Sequence, residues 1–231
     1  MLLENTSRIF KKASHAAMRA GRCPSDIKII AVTKTVSVEM IKAAVNVGLR
    51  MFGENRIQEA EKKVMSDELR VMSEGIEWHF IGHLQKNKAK YAVKLFDVIQ
   101  TVDSIDLAIE LNRLAEKAGK VQRVLAQVKL SEEESKHGTS EDELRPLLDK
   151  IRELGNLKLE GLMTIPPYFD DPQQARPYFR RLREIRDNME KAGFKLPELS
   201  MGMSNDFEVA IEEGATMIRI GSAIFGERAW L

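Results

Sequence analysis

Cysteine is almost missing from this chain of 231 residues. Cys23 stands alone, which excludes an intramolecular disulfide and any site built from several cysteines. An excess of one charge is missing too: 36 Lys and Arg stand against 35 Asp and Glu, a formal net charge of +1. No overall positive field therefore draws nucleic acid or an acidic membrane surface, although the balance leaves room for a local basic patch. No run of about 18 apolar residues occurs that would span a bilayer. The opening MLLENTSRIFKKASHAAMRAGRC lacks the basic start and continuous apolar stretch of a secretory signal, so the expected compartment is the cytoplasm. Low-complexity tracts and internal linkers are also missing. What remains, 43% hydrophobic and 31% charged, suits a folded globule and not a disordered chain. One domain over 1–231 is expected.

What is present is an alternation of two periods. Residues 3–19 read as an amphipathic helix with Ile9, Ala13 and Ala17 on one stripe, ended by Gly21 and Pro24. Then apolar runs of strand length alternate with helical stretches. IKIIAVTK precedes VSVEMIKAAVNVG, in which Ser37 is placed to cap a helix. LRMFGEN precedes RIQEAEKKVMS, IEWHFIG precedes LQKNKAKYAVKLF, and DVIQTVD precedes SIDLAIELNRLAEKAG. VQRVLAQVKL, LKLEGLMTI, PELSMG and ATMIRIG complete the set of strands, each followed by a helix or a helical fragment. Parallel strands need crossover connections of this length. Eight such units predict an α/β fold, a closed (β/α)8 TIM barrel of the usual size of roughly 250 residues, with an additional N-terminal helix. The rival is an open doubly wound sheet. Against it, no GxGxxG follows the first strand, and glycines cluster near the last two strands instead.

Several polar residues interrupt the strand pattern at its C-terminal ends, where barrels build their sites. Strand alternation puts Ile30, Val32 and Lys34 on one face, so a lysine continues an apolar column toward the interior. It either snorkels into solvent or is a partly desolvated amine suited to forming a Schiff base. Asn55 reaches the same rim, as a turn residue or as an amide donor to a ligand, while Glu54 reads as a first-turn helix charge. His79, Ile81 and His83 share a face. A metal site there lacks an evident third ligand, so pocket polarity or satisfied interior histidines fit better. The basic LQKNK stretch reads as a solvated helix face. Ser200, Gly202 and Ser204, then Gly221 and Ser222, fall in the last two loops, where small polar residues and exposed backbone N–H groups form an anion-binding nest. Arg219 points inward beside that nest and must be paired or solvated.

A lysine closing strand one and a phosphate nest after strands seven and eight suggest a phosphorylated carbonyl cofactor. Read together, AVTKT, FGENRIQEA, WHFIGHLQKNK, GLMTIP, LSMGMSNDFEVAIEEGAT and RIGSAIFG resemble the motifs of the pyridoxal-phosphate homeostasis protein family, over about residues 28–226. The resemblance implies that pyridoxal 5'-phosphate (PLP) is bound covalently as an imine to Lys34. It implies that Asn55 lies near the cofactor ring and that Ser200, Gly221 and Ser222 grip the phosphate. Arg219 would face the pyridine nitrogen, Met201 would pack near the ring, and His79 would belong to the pocket. The family is similar to the barrel domain of alanine racemases and ornithine decarboxylases, whose second, β-rich domain is not expected here. The implied function is PLP and vitamin B6 homeostasis without robust turnover, by a cytoplasmic monomer that hands PLP to transient apoenzyme partners, with no metal, nucleic acid or membrane involved. A single-domain PLP-dependent amino-acid racemase or lyase is the alternative. A protein- or RNA-binding barrel without cofactor is the third reading.

Overall fold

The strand–helix alternation closes on itself in the computed structural model, which describes residues 1–72, 74–131, 133 and 137–226. The strands β1 (Lys28–Val32), β2 (Met51–Glu54), β3 (Glu77–Phe80), β4 (Val98–Val102), β5 (Gln122–Gln127), β6 (Leu157–Met163), β7 (Glu198–Ser200) and β8 (Met217–Ile220) pair in chain order, all parallel. β8 then returns to β1, with Lys28 opposite Met217 and Ala31 opposite Ile220. That last pairing makes the sheet a barrel and excludes the open alternative. Among the described residues, every strand belongs to this one sheet.

Each strand reads as an apolar run because both of its faces are covered, one by helices and one by the barrel interior. The helices are α1 (Leu2–Arg19), α2 (Val38–Asn46), α3 (Ile57–Val64), α4 (Asp67–Val71), α5 (Ala89–Leu95), α6 (Ile105–Lys117), α7 (Glu141–Glu153), α8 (Arg176–Lys191), α9 (Phe207–Glu212) and α10 (Ser222–Phe225). Ser37, Ser66, Ser104 and Ser140 each accept a backbone N–H at the start of α2, α4, α6 and α7, satisfying a donor the helix itself leaves open. The tail expected after the last strand is α10; residues 227–231 lie outside the described residues.

A large apolar cluster fills the space between sheet and helices, whereas Val98, Leu125 and Met163 form a small separate one inside the barrel. Much of the interior is therefore polar. α1, with Ile9, Ala13 and Ala17 buried, packs chiefly against the last helices, α9 and α10. Its Asn5 amide donates to the Ile224 carbonyl of α10 at 3.1 Å, and Arg19 pairs with Glu212 of α9 at 2.8 Å. No helix among the described residues is long and apolar enough to cross a membrane.

Candidate functional site

A cavity of about 650 Å³ opens at the C-terminal ends of the strands. Its first wall is the turn after β1. The strand stops at Val32, so Lys34 stands in a turn, exposed, and lines the cavity mouth instead of continuing the inward column. The next residue, Thr35, has φ of 62°, a left-handed conformation that is costly for a β-branched side chain. Buried neighbours hold it there. Thr35 N–H donates to the Glu59 carboxylate, and Lys63 Nζ reaches Glu59 at 2.6 Å, Glu54 at 2.7 Å and the Thr33 carbonyl at 2.6 Å. Thr33 Oγ1 donates to Glu54 at 2.6 Å. Glu54 is thus not a helix-turn charge but the fully buried end of β2. Burial pushes its carboxyl above the usual range, opposed by Lys63.

Asn55 follows, and its Oδ1 is buried in the cavity wall without a hydrogen-bond partner among the described residues. Gly82 presses against its backbone so closely that a Cβ there would meet the Asn55 carbonyl oxygen at 2.2 Å.

The second wall comes from the loops after β7 and β8. Ser204 Oγ accepts the N–H groups of Gly221 and Ala223 at 3.3 and 3.4 Å, tying the two loops together. Asp206 accepts Met203 N–H at 2.6 Å, and burial pushes its carboxyl up against the attraction of Arg219. Gly221 and Ser222 line the cavity here. Arg219 reaches the cavity from below, only 4% exposed. Burial lowers its guanidinium to about 10, with Asp206 opposing, so it stays cationic at neutral pH. The third wall carries Gln127, whose amide donates to the His137 carbonyl at 2.9 Å while its buried Oε1 has no hydrogen-bond partner among the described residues. The His137 and His83 rings stack at 3.7 Å, and Asp103 lies 3.8 Å from His83. Among the described residues, no group of three His, Cys, Asp or Glu is placed to hold a metal ion.

The alanine racemase N-terminal domain family model matches residues 12–229. A pyridoxal phosphate homeostasis protein of Aquifex aeolicus (strain VF5) is 46% identical over 228 residues, 98% of each chain. The chain belongs to the pyridoxal phosphate homeostasis protein family. A second member, from Synechocystis sp., is 42% identical over 89% of this chain and 93% of its own. PipY of Synechococcus elongatus PCC7942, another similar protein and one solved with PLP bound, superposes with a TM-score of 0.86 at 34% identity. That match covers 98% of this chain and 100% of PipY.

Of the residues that the family resemblance singled out, Lys34, Asn55, Arg219, Gly221 and Ser222 line one cavity. His79, Ser200 and Met201 do not. All three are fully buried and lie outside the cavity lining. Ser200 ends β7 instead of standing in the following loop, and its hydroxyl donates to Gln100 Oε1 at 2.6 Å. The groups that occupy the wall in its place are Met203, Ser204 and Asp206, a few residues further along the same segment. Gln127 and His137 were not anticipated; the available signal was a polar residue closing β5, the same pattern that marked Lys34 after β1.

Proposed function

We propose that this chain binds PLP in the cavity and serves vitamin B6 homeostasis as a carrier, without robust turnover of its own. The observation that carries this reading is the convergence of a lysine amine, a buried guanidinium and the tied Ser204–Gly221–Ser222 turn on one space of about 650 Å³. The residues fit the group. Lys34 supplies the amine for covalent attachment of the aldehyde. Beside Gly221, Ser222 offers its backbone N–H and hydroxyl to the phosphate, and Ser204, whose oxygen already accepts from Gly221 and Ala223, keeps its hydroxyl proton to donate. The orphaned Asn55 Oδ1 awaits a donor, as a buried acceptor must.

PLP supplies an electrophilic carbonyl and, when its ring nitrogen is protonated, an electron sink. Arg219 has donors and no acceptor. A ring nitrogen facing it must accept, so the guanidinium withholds the proton on which most amino-acid chemistry at this cofactor depends. The chain would thus retain PLP while activating substrates poorly. In this reading it acts as a cytoplasmic monomer, since a closed sheet offers no edge for pairing, and passes PLP to apoenzymes that require it.

Borohydride treatment of the PLP-loaded protein should fix a pyridoxyl group on the peptide containing Lys34, read by mass mapping, and Lys34→Ala should abolish it. Stoichiometric labelling of another lysine refutes the attachment. Rapid racemisation or cleavage of a defined amino acid refutes the carrier reading in favour of the single-domain enzyme.

A further inference from the structure

Beneath the cavity, the buried residues that do not line it form a continuous polar column. Arg219 Nη1 donates to Ser200 Oγ at 2.7 Å, and Ser200 donates to Gln100 Oε1 at 2.6 Å. Gln100 Nε2 lies 2.8 Å from His79 Nδ1, and His79 Nε2 lies 2.7 Å from Glu77 Oε1. Glu77 meets Arg123 at 2.9 Å, and Arg123 meets Glu160 at 2.9 Å, at the start of the strands. His79, Gln100 and Ser200 are fully buried.

We propose that Gln100 and His79 are positioning residues that fix how Arg219 presents its guanidinium to the cavity, through a column in which every donor from Arg219 to His79 points away from the cavity. The direction follows from proton counting. Arginine can only donate, so Ser200 Oγ accepts from it. The single Ser200 proton then goes to Gln100 Oε1, which turns the Gln100 amide nitrogen toward His79. That nitrogen carries only hydrogens, so His79 Nδ1 accepts. The imidazole is neutral and keeps its proton on Nε2, facing Glu77. The contact with Glu77 is close without being a straight hydrogen bond. The opposite Gln100 orientation would aim two donors at Ser200 and deprive its hydroxyl proton of this acceptor. The arginine at the cavity floor is therefore set by residues on β3 and β4, across the barrel from its own strand. Thr164, the residue after β6, completes the setting, its carbonyl accepting Arg219 Nη2 at 2.8 Å. The column stands on this chain's own hydrogen bonds; its consequence for PLP rests on the function proposed above.

Long-range ¹H–¹⁵N NMR of the purified full chain, with and without PLP, tests the direction first. His79 should appear at neutral pH as the neutral Nε2–H tautomer in both samples; an Nδ1–H tautomer or a doubly protonated ring overturns the column. Gln100→Leu removes both links. It should shift the Arg219 Nε resonance and weaken PLP retention by about tenfold, the net worth of one hydrogen bond, as Ser200 loses its acceptor and its hold on the guanidinium slackens. Gln100→Glu keeps an acceptor for Ser200. It should restore the Arg219 resonance and most of the PLP retention while converting His79 to the doubly protonated form, a change that a merely space-filling role would not produce. An Arg219 resonance and PLP retention both unchanged in Gln100→Leu overturn the positioning role. If Gln100→Leu does not fold, the His79 tautomer in the parent still decides. A parent that binds no PLP refutes the proposed function, and the tautomer continues to decide the column.

Discussion

Thr35 is the residue on which the placement of Lys34 turns. Its φ of 62° is tolerated by Asn far better than by a β-branched side chain, which in that region costs of order 1–3 kcal/mol. Its backbone N–H bond to Glu59, rather than its side chain, holds the turn. Thr35→Asn should therefore raise stability by about 1 kcal/mol in urea unfolding and leave PLP attachment at Lys34 intact. A loss of stability would show that the threonine side chain makes a contact worth more than the strain. Gly82 is strained in the opposite sense, by proximity. Gly82→Ala forces a methyl into the Asn55 carbonyl, so Asn55 must move; PLP retention should fall and stability should drop by about 1–3 kcal/mol. Unchanged retention would remove Asn55 from the pocket's working set.

Between elements, the link that fixes β1 to β2 and α3 is the buried Lys63 with Glu54 and Glu59. Removing one partner of a buried pair leaves an uncompensated charge, so Lys63→Met should cost about 3–5 kcal/mol in denaturant unfolding. Adding Glu54→Gln should recover part of that loss by taking the stranded carboxylate away. If the double variant is as unstable as the single one, Glu54 is not what Lys63 neutralises. At this same scale lies the boundary of what the sequence made legible. All eight strands were readable, because parallel strands buried on both faces appear as apolar runs of the right length between caps and glycines. Which side chains enter the cavity was readable only near strand ends. Counting by twos from Ile30 led to Val32 and Lys34, and both line the cavity, although β1 stops at Val32 and Lys34 stands in the turn beyond it. After β7 the loop reading began too early: Ser200 is the last of three strand residues and, with Met201, stays buried below, whereas beyond Gly202, with φ of 94°, Met203 and Ser204 reach the wall. His79 has the right facing but the wrong depth, and depth is set by strand stagger around the barrel, which one sequence does not encode locally.

For the molecule as a whole, the far end of the barrel governs behaviour in acid. The close His79 ring, whose effect outweighs burial, and then Arg123 hold the Glu77 carboxyl down at about 2 from an ordinary 4.5. A carboxylate depressed on folding stabilises the native state fully above its unfolded value and loses that contribution as pH falls through its folded one. Stability should therefore decline between about pH 4.5 and pH 2. Glu77→Gln should flatten that decline when urea unfolding is followed across the same range; an identical slope in the variant would show that other carboxylates carry it. Closure of the sheet has a consequence in time. Lys28 and Met217, which meet at the seam between first and last strand, are about 190 residues apart, or roughly 10–40 s of synthesis at ordinary elongation rates. During that interval the amine of Lys34 has left the ribosome, but Arg219, Gly221 and Ser222 have not yet been made. If PLP is held as proposed above, a nascent chain would meet the aldehyde without enclosing it, and sequestration would begin only when the final strand docks.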